Sequence, residues 1–100
     1  MHLIAISKLR RDAARYPNVS EAIEAWYKIV KVAQWQNLAE VRRLFPTADN
    51  VGSFTVFNIK GNQYRLIVDI QYQTQLIYYK YFLTHGEYDK NNWKNDPYFG

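Results

Sequence analysis

YRLIVDIQY, residues 64–72, is a run in which two kinds of side chain alternate. Successive side chains of a β-strand point to opposite faces of the sheet, so the even and odd positions form two separate faces. The even positions are all apolar or aromatic, whereas the odd positions include Arg65, Asp69 and Gln71. The pattern predicts a strand whose even positions face a core and whose Arg65 points to the other side.

Two more strands are predicted beside this one, over residues 54–59 and 76–84, because both stretches are rich in β-branched and aromatic residues. Between the first two strands, Gly61 and Asn62 suit the centre of a two-residue hairpin. Such a turn pairs Asn58 with Arg65. The second half of the chain therefore reads as a three-stranded meander.

The face opposite the core is predicted to carry a small cationic patch. If the more apolar side chains of the last strand face the core, its remaining side chains share the face of Arg65. The set assigned to the core is Ile77, Tyr79, Tyr81 and Leu83. The set assigned to the patch is Asn58, Lys60, Arg65, Lys80 and Phe82.

The first half of the chain has helical periodicity after an opening strand at residues 2–6. A first helix is predicted to end at Pro17, and a second to begin at a capping pattern of Asn18 and Glu21. A third is predicted over residues 38–44, with Asn37 as its cap. The face assigned to the second helix comprises Ala22, Trp26, Ile29 and Ala33. We therefore predict an α+β fold with N-terminal helices packed on one face of a small, mainly antiparallel sheet.

Size and composition limit the classes of protein. One hundred residues favour a single domain over residues 1–100, in which residues 91–100 form a tail that either packs on the sheet or frays. The absence of Cys excludes disulfides, thiolate nucleophiles and Cys-ligated metals, and no residues show metal-ligand spacing. No stretch predicts a membrane span or a secretory signal, so a cytoplasmic protein without a cofactor is expected. The net charge of +4 favours an anionic partner.

The segment THGEYDK, residues 84–90, follows the last strand directly. Thr84 and Glu87 have capping-box spacing, which predicts a helical turn at the edge of the patch. On such a turn His85 and Tyr88 are neighbours. An acid, a base and cations around one concavity suit RNA cleavage without metal, in which the substrate's 2′-hydroxyl attacks the adjacent phosphate.

Each side chain has an expected role in that chemistry. Arg65 can hold a phosphate through two parallel hydrogen bonds, and Lys80 and Lys60 can add point charge. His85 is the first candidate for acid or base, because histidine titrates near neutral pH. Tyr88 is the second, and it could equally stack on an extruded nucleobase.

Two long strings carry a family resemblance. FNIKGNQYRLI, residues 57–67, and THGEYDK, residues 84–90, resemble the signature stretches of HigB-type toxins in the RelE-like superfamily of type II toxin–antitoxin systems. The similarity extends to AWY at residues 25–27 and FPTAD at residues 45–49. It covers nearly the whole chain up to Lys90, in the expected order.

The resemblance implies a RelE-like fold and an endoribonuclease that cleaves mRNA, often during translation on the ribosome. It also implies neutralisation by a HigA-type helix-turn-helix antitoxin, and it is compatible with binding of operator DNA by the toxin–antitoxin complex. Catalytic roles then fall on Arg65, His85, Tyr88 and Lys80. Lys80 stands where related sequences can have Arg, and an ammonium lacks the planar fork of a guanidinium. The expected RNA contacts are Asn58, Lys60, Phe82 and Lys90.

A different class of function remains open from the residues alone. The same basic face could belong to a noncatalytic module that binds RNA or a protein partner. In that case His85 could simply bond a backbone carbonyl, and Arg65 could form an ion pair with Asp69 or Glu87. Tyrosines on the sheet need no RNA to explain them, which leaves Phe82 and Tyr88 as possible platforms for bases.

Overall fold

The computed structural model describes residues 1–100. Its strands are β1 (His2–Ile4), β2 (Asp49–Val51), β3 (Phe54–Ile59), β4 (Tyr64–Gln71) and β5 (Leu76–Thr84). Its helices are α1 (Ile6–Ala13), α2 (Ser20–Val30), α3 (Leu38–Leu44) and α4 (His85–Asp89), followed by a 3-10 turn at Asn92–Asn95. The predicted α+β architecture is confirmed.

A single five-stranded sheet has the order β1-β5-β4-β3-β2. The predicted meander forms its centre, and both of its strand pairs are antiparallel. The opening strand β1 joins the edge as the parallel neighbour of β5, and β2 forms the other edge from a segment for which no strand was predicted. The sheet is therefore larger than the sequence predicted, because short edge strands depend on pairing and not on their own periodicity.

Helices α1, α2 and α3 contribute to the main core on one face of the sheet. The predicted core positions Leu66, Val68 and Ile70 lie in this core, together with Leu9 of α1 and Trp26 of α2. A second, smaller cluster lies on the opposite face, around Phe54, Val56, Ile67 and Trp93. Both faces of the sheet are therefore covered over part of their area.

The predicted register of the first hairpin is correct, since Asn58 pairs with Arg65 and Ile59 with Tyr64. The turn that joins these strands has positive φ at Lys60 (54°) and Gly61 (66°). Arg65 consequently lies on the face opposite the helices, as its odd position in β4 predicted.

A β-bulge interrupts the pairing of β4 with β5. Val68 pairs with Tyr79, but the preceding residue of β4, Ile67, pairs with Tyr81, so that Lys80 has no partner in the ladder. A bulge of this kind inserts one residue into one strand and shifts the alternation of faces beyond it. The predicted assignment of β5 side chains to the two faces of the sheet is thus correct before Lys80, and after Lys80 the two faces are exchanged.

Phe82 is the residue most affected by the bulge, and its predicted place on the face of Arg65 is wrong. Its side chain lies in the main core, 6% exposed, with its ring stacked on Tyr64 at 5.4 Å between centroids. The ring of Tyr16 lies 5.9 Å away. Tyr81 and Leu83, predicted in the main core, instead pack against the second cluster.

Helix α2 differs from the prediction in the residues that it buries and in its N-terminal cap. The buried side of α2 is Ile23, Trp26 and Val30, whereas Ile29 is exposed. The capping pattern at Asn18 is wrong, because α2 begins after Val19 with no side-chain cap. The cap of α3 is confirmed by a 3.0 Å bond from the Glu40 N–H to Asn37 Oδ1. No helix is long and apolar enough to span a membrane.

The C-terminal segment, residues 91–100, packs on the sheet face opposite the helices. Trp93 is 3% exposed, and its ring lies 5.4 Å from that of Phe99. The Ser53 N–H donates to the Phe99 carbonyl, and Gly52 lies against Phe99 with a φ of +60°. Of the two alternatives for this tail, the structure therefore has the packed one.

Candidate nucleic-acid and active site

Arg65 lies at the start of β4 and is only 8% exposed. Its Nη1 donates to the main-chain oxygen of Asn62 at 3.0 Å and to that of Tyr64 at 3.3 Å. Its Nη2 donates to Asn62 Oδ1 at 2.6 Å. The turn before β4 therefore wraps around the guanidinium and holds it in one orientation.

No carboxylate neutralises this guanidinium. The ion pairs of the structure are Arg10 with Glu24 and Lys80 with Asp96, and Asp89 contacts His85. The alternative in which Arg65 pairs with Asp69 or Glu87 is therefore wrong. A buried cation whose acceptors are all neutral retains its full attraction for an anion that reaches it.

Tyr88 covers Arg65 from α4. The Arg65 Cζ lies 5.4 Å from the centroid of the Tyr88 ring, within the range of a cation–π interaction. The Tyr88 ring also stacks on the ring of Trp93, with 5.1 Å between the centroids and 16° between the planes. Burial raises the pKa of Tyr88, although the charge of Arg65 opposes the rise. Tyr88 therefore remains a neutral hydroxyl at neutral pH.

Helix α4 begins with the predicted capping box. The Glu87 N–H donates to Thr84 Oγ1 at 3.2 Å, and the Thr84 N–H donates to Glu87 Oε1 at 2.9 Å. The bond from the Thr84 N–H, acting against burial, lowers the pKa of Glu87. This cap fixes the direction in which the chain leaves β5 and thereby places the next residue, His85, beside the β3–β4 turn.

His85 contacts two acceptors through its two ring nitrogens. Nδ1 lies 3.3 Å from the main-chain oxygen of Asn62, and Nε2 lies 3.0 Å from Asp89 Oδ2. The main-chain N–H of His85 also donates to the main-chain carbonyl of Gln63 at 3.0 Å. Arg65, His85 and Tyr88 are thus brought together around the Asn62 turn.

Lys80 lies in a different environment. Its Nζ is 3.3 Å from Asp96 Oδ2 and 4.9 Å from the ring centroid of Tyr98. It also lies 5.4 Å from the centroid of Phe54. The C-terminal segment therefore neutralises Lys80, which shares none of these contacts with Arg65.

The other expected RNA contacts differ in their exposure to solvent. Asn58 is half-buried beside Arg65, whereas Lys60 and Lys90 are exposed and form no ion pair. Lys90 lines a cleft of about 310 Å³ between α4, β5 and the C-terminal segment. Phe82 lies in the main core and is remote from solvent.

The net charge is unevenly divided along the chain. Residues 1–48 carry eight Lys and Arg against four Asp and Glu, whereas residues 49–100 carry five against five. The half that contains Arg65 is thus neutral overall, and its attraction for an anion depends on the local environment of Arg65. No group of three or more metal-ligating side chains is present.

Two residues of this cluster were missed from the sequence. Asn62 was assigned only to the turn, because Gly-Asn is a common hairpin pair, and its side chain was given no role. Asp89 was overlooked, although its position four residues after His85 on a helix is a spacing that allows contact. Both signals were present in the sequence.

Comparisons with known proteins identify the family of this chain. The family model described as "HigB_toxin, RelE-like toxic component of a toxin-antitoxin system" matches residues 19–91. The chain is 30% identical over 93 residues to the mRNA interferase HigB of Escherichia coli O6:H1 (strain CFT073), with 90% of each chain covered. It is 28% identical over 92 residues to the mRNA interferase toxin HigB of Escherichia coli K12, with 89% of this chain and 88% of the relative covered. The mRNA interferase HigB of Shigella flexneri matches to the same extent. The chain thus belongs to the HigB toxin family, the RelE-like toxic components of toxin–antitoxin systems.

Proposed function

We propose that this protein is a toxin that cleaves mRNA as an endoribonuclease. Its relatives of similar length are named mRNA interferases, which supports this activity. The observation that carries the proposal is Arg65, a buried guanidinium with no carboxylate partner, next to His85 and Tyr88. Such a guanidinium suits a phosphate, which it can contact through two parallel hydrogen bonds.

The reaction requires no nucleophile from the protein. The 2′-oxygen of the substrate attacks the adjacent phosphorus after losing its proton, the bond to the 5′-oxygen breaks, and a 2′,3′-cyclic phosphate and a 5′-hydroxyl result. Arg65 stabilises the negative charge that accumulates on the phosphoryl oxygens. Tyr88, which keeps its proton at neutral pH, is suited to donate to the leaving oxygen.

His85 is then the candidate base, and one of its nitrogens has to be released from its present acceptor. Asn62 contributes a main-chain oxygen within an ordered turn, whereas the side chain of Asp89 is 61% exposed on the last residue of α4. We therefore propose that Asp89 is the partner that gives way when RNA binds.

The flanking contacts follow from exposure and charge. Lys60 in the β3–β4 turn and Lys90 at the end of α4 are exposed cations, and we assign them to neighbouring phosphates of the RNA. Asn58 is assigned a polar contact beside Arg65. Lys80, neutralised by Asp96, and Phe82, buried in the main core, are left out of this assignment.

The partners are proposed from the family. The protein acts in the cytoplasm on mRNA engaged with the ribosome, and a HigA-type helix-turn-helix antitoxin neutralises it. The complex with the antitoxin binds operator DNA. The excess of positive charge in residues 1–48 supports contact with ribosomal RNA or an acidic antitoxin segment on the helical side.

One observation favours a noncatalytic module instead. Both ring nitrogens of His85 already face acceptors, so this imidazole could serve only to hold α4 against the β3–β4 turn. In that case the Arg65 cluster would bind RNA without cleaving it.

Induced expression of wild type, Arg65→Ala and His85→Ala separates these functions. Translation is followed by amino-acid incorporation, and transcript ends by primer extension. We expect new mRNA ends with wild type, a loss of at least tenfold with Arg65→Ala, and a similar loss with His85→Ala. If wild type slows translation without new transcript ends, the noncatalytic function is correct.

A further inference from the structure

The β3–β4 turn contributes a side chain to which no role has been assigned. Asn62 contacts Arg65 twice, through its main-chain oxygen to Nη1 and through its side-chain Oδ1 to Nη2. The same main-chain oxygen faces Nδ1 of His85. One turn residue therefore touches both an arginine and a histidine of the candidate site.

The chemistry of the acceptor is the informative feature. Aspartate has the same shape as asparagine and would form a stronger, charge-assisted bond with a guanidinium. A carboxylate would also supply the countercharge that this cation lacks, so we expect it to hold the turn at least as firmly as the amide does. The amide of Asn62 orients Arg65 and leaves its charge uncompensated.

We propose that Asn62 is a positioning residue that fixes the Arg65 guanidinium while leaving its positive charge uncompensated and available to a phosphate. The inference rests on the proposed function, because it assumes that Arg65 receives a phosphate group of RNA. It assigns a reason for the amide at this position: a carboxylate would occupy the guanidinium in place of the substrate.

The backbone permits a clean test. Asn62 is not among the residues with positive φ, so Asp and Ala are tolerated there without backbone strain. The neighbouring Gln63 is exposed, and its side chain forms no hydrogen bond, although its main chain belongs to the same turn. Gln63→Glu therefore introduces the same charge into the same turn without occupying Arg65.

The experiment measures two quantities in wild type, Asn62→Asp, Asn62→Ala and Gln63→Glu. The first is the stability in urea. The second is the affinity for inorganic phosphate, followed through the Nε–H resonance of Arg65, which is assigned by its loss in Arg65→Lys. Cleavage of mRNA in a translation extract is measured in parallel as kcat/KM.

We expect stability and phosphate affinity to rank the variants differently. Asn62→Asp should be at least as stable as wild type yet bind phosphate at least tenfold more weakly, with a similar loss in kcat/KM. Asn62→Ala should be less stable than wild type and lie between the two in phosphate affinity. Gln63→Glu should stay within about twofold of wild type in both phosphate affinity and kcat/KM.

If phosphate affinity instead follows stability, with Asn62→Asp equal to or above wild type, Asn62 has only a structural role and the inference is wrong. The proposed function fails separately. If wild type cleaves no mRNA but the phosphate affinities keep the expected order, the role of Asn62 stands and the endoribonuclease assignment does not.

Discussion

The ring of Tyr88 lies over the guanidinium of Arg65, with 5.4 Å between the ring centroid and Cζ. The ring is held in turn by stacking on Trp93 of the C-terminal segment. The position of the candidate catalytic arginine thus depends on a segment that is distant in the sequence and contributes no cation of its own to the cluster.

Tyr88 combines a ring that covers Arg65 with a hydroxyl available for chemistry, and two substitutions separate these roles. Tyr88→Phe keeps the ring and its stacking, so the free energy of unfolding should change by less than about 1 kcal/mol. Tyr88→Ala removes the cation–π contact and the stack, and should cost about 2–3 kcal/mol. Urea denaturation measures both.

The same pair of variants tests the proposed acid. If the hydroxyl donates to the leaving oxygen, Tyr88→Phe should lower cleavage of mRNA by about 10²-fold despite its normal stability. Cleavage by Tyr88→Phe at the wild-type rate would remove Tyr88 from the chemistry and leave it as a cover for Arg65.

Phe82→Ala should destabilise the fold by about 3–5 kcal/mol, because the ring is buried between Tyr16 and Tyr64 in the main core. Phe82→Leu should recover most of that loss. Tyr78, on the same strand and 39% exposed, offers a control whose replacement by Ala should cost much less. If Phe82→Ala had the unfolding midpoint of wild type but bound RNA more weakly, Phe82 would be an exposed RNA contact and its burial in the main core would be contradicted.

Gly52 and Gly61 provide a matched test of how the C-terminal segment docks. The φ angle is +60° at Gly52 and +66° at Gly61, so replacement of either residue by Ala strains the backbone to a similar extent. At Gly61 a Cβ meets nothing within 4 Å, whereas at Gly52 it meets the backbone and ring of Phe99. Gly52→Ala should therefore be the less stable variant by about 1–3 kcal/mol. Its C-terminal segment should also be cut faster by trypsin at Lys94, and equal behaviour of the two variants would contradict the docking.

Asp96 ties the C-terminal segment to β5 through Lys80 and Tyr81. Burial opposes ionisation of Asp96, but the bonds from the Tyr98 N–H, Tyr81 and Lys80 prevail and lower its pKa below the ordinary 3.8. A carboxyl whose pKa is lowered on folding stabilises the protein above its unfolded pKa and loses that contribution as the pH falls through its folded pKa.

We therefore expect Asp96→Asn to be about 1–3 kcal/mol less stable than wild type at pH 7. The difference should narrow as the pH falls below 3.8. Urea denaturation between pH 7 and pH 3 measures this gap, and a gap that stays constant over the range would show that the charge of Asp96 is not responsible.

Asp89→Asn tests whether the contact with His85 restrains the reaction. The pair is exposed, so its removal should change the free energy of unfolding by less than about 1 kcal/mol. If Asp89 has to leave His85 when RNA binds, the variant should cleave mRNA at least as fast as wild type. A tenfold loss of kcat with unchanged KM would instead make Asp89 a necessary partner of the imidazole.

The sequence predicted what depends on local patterns. Alternation in β4 and the Gly61-Asn62 turn were enough to place Arg65 opposite the helices and beside Asn58. Thr84 and Glu87 were enough to start α4 at the correct residue. Each of these features is determined by neighbours within a few residues, which a single sequence displays.

Features that depend on distant contacts were missed. The edge strand β2 forms through pairing with β3 and has no periodicity of its own, whereas the opening strand β1 was predicted but its parallel pairing with β5 was not. The burial of Arg65 depends on Tyr88 and Trp93, which the packed C-terminal segment brings into place. The amide of Asn62 was assigned to turn geometry, since nothing in its local sequence shows which side chain it will meet.

The bulge at Lys80 makes the number of residues in β5 critical both to the main core and to the candidate site. Before the bulge, β5 sends Ile77 and Tyr79 toward the helices, and after it, Phe82 takes the same direction. Deletion of Lys80 would restore a regular ladder between β4 and β5. The side chains of β5 after the deletion would then point to the opposite faces of the sheet from those they occupy now. His85 would then leave the strand half a pleat out of phase with the Asn62 turn. The extra residue thus acts as a spacer that lets one strand serve a hydrophobic layer and a chemical site whose geometric requirements differ by a single residue.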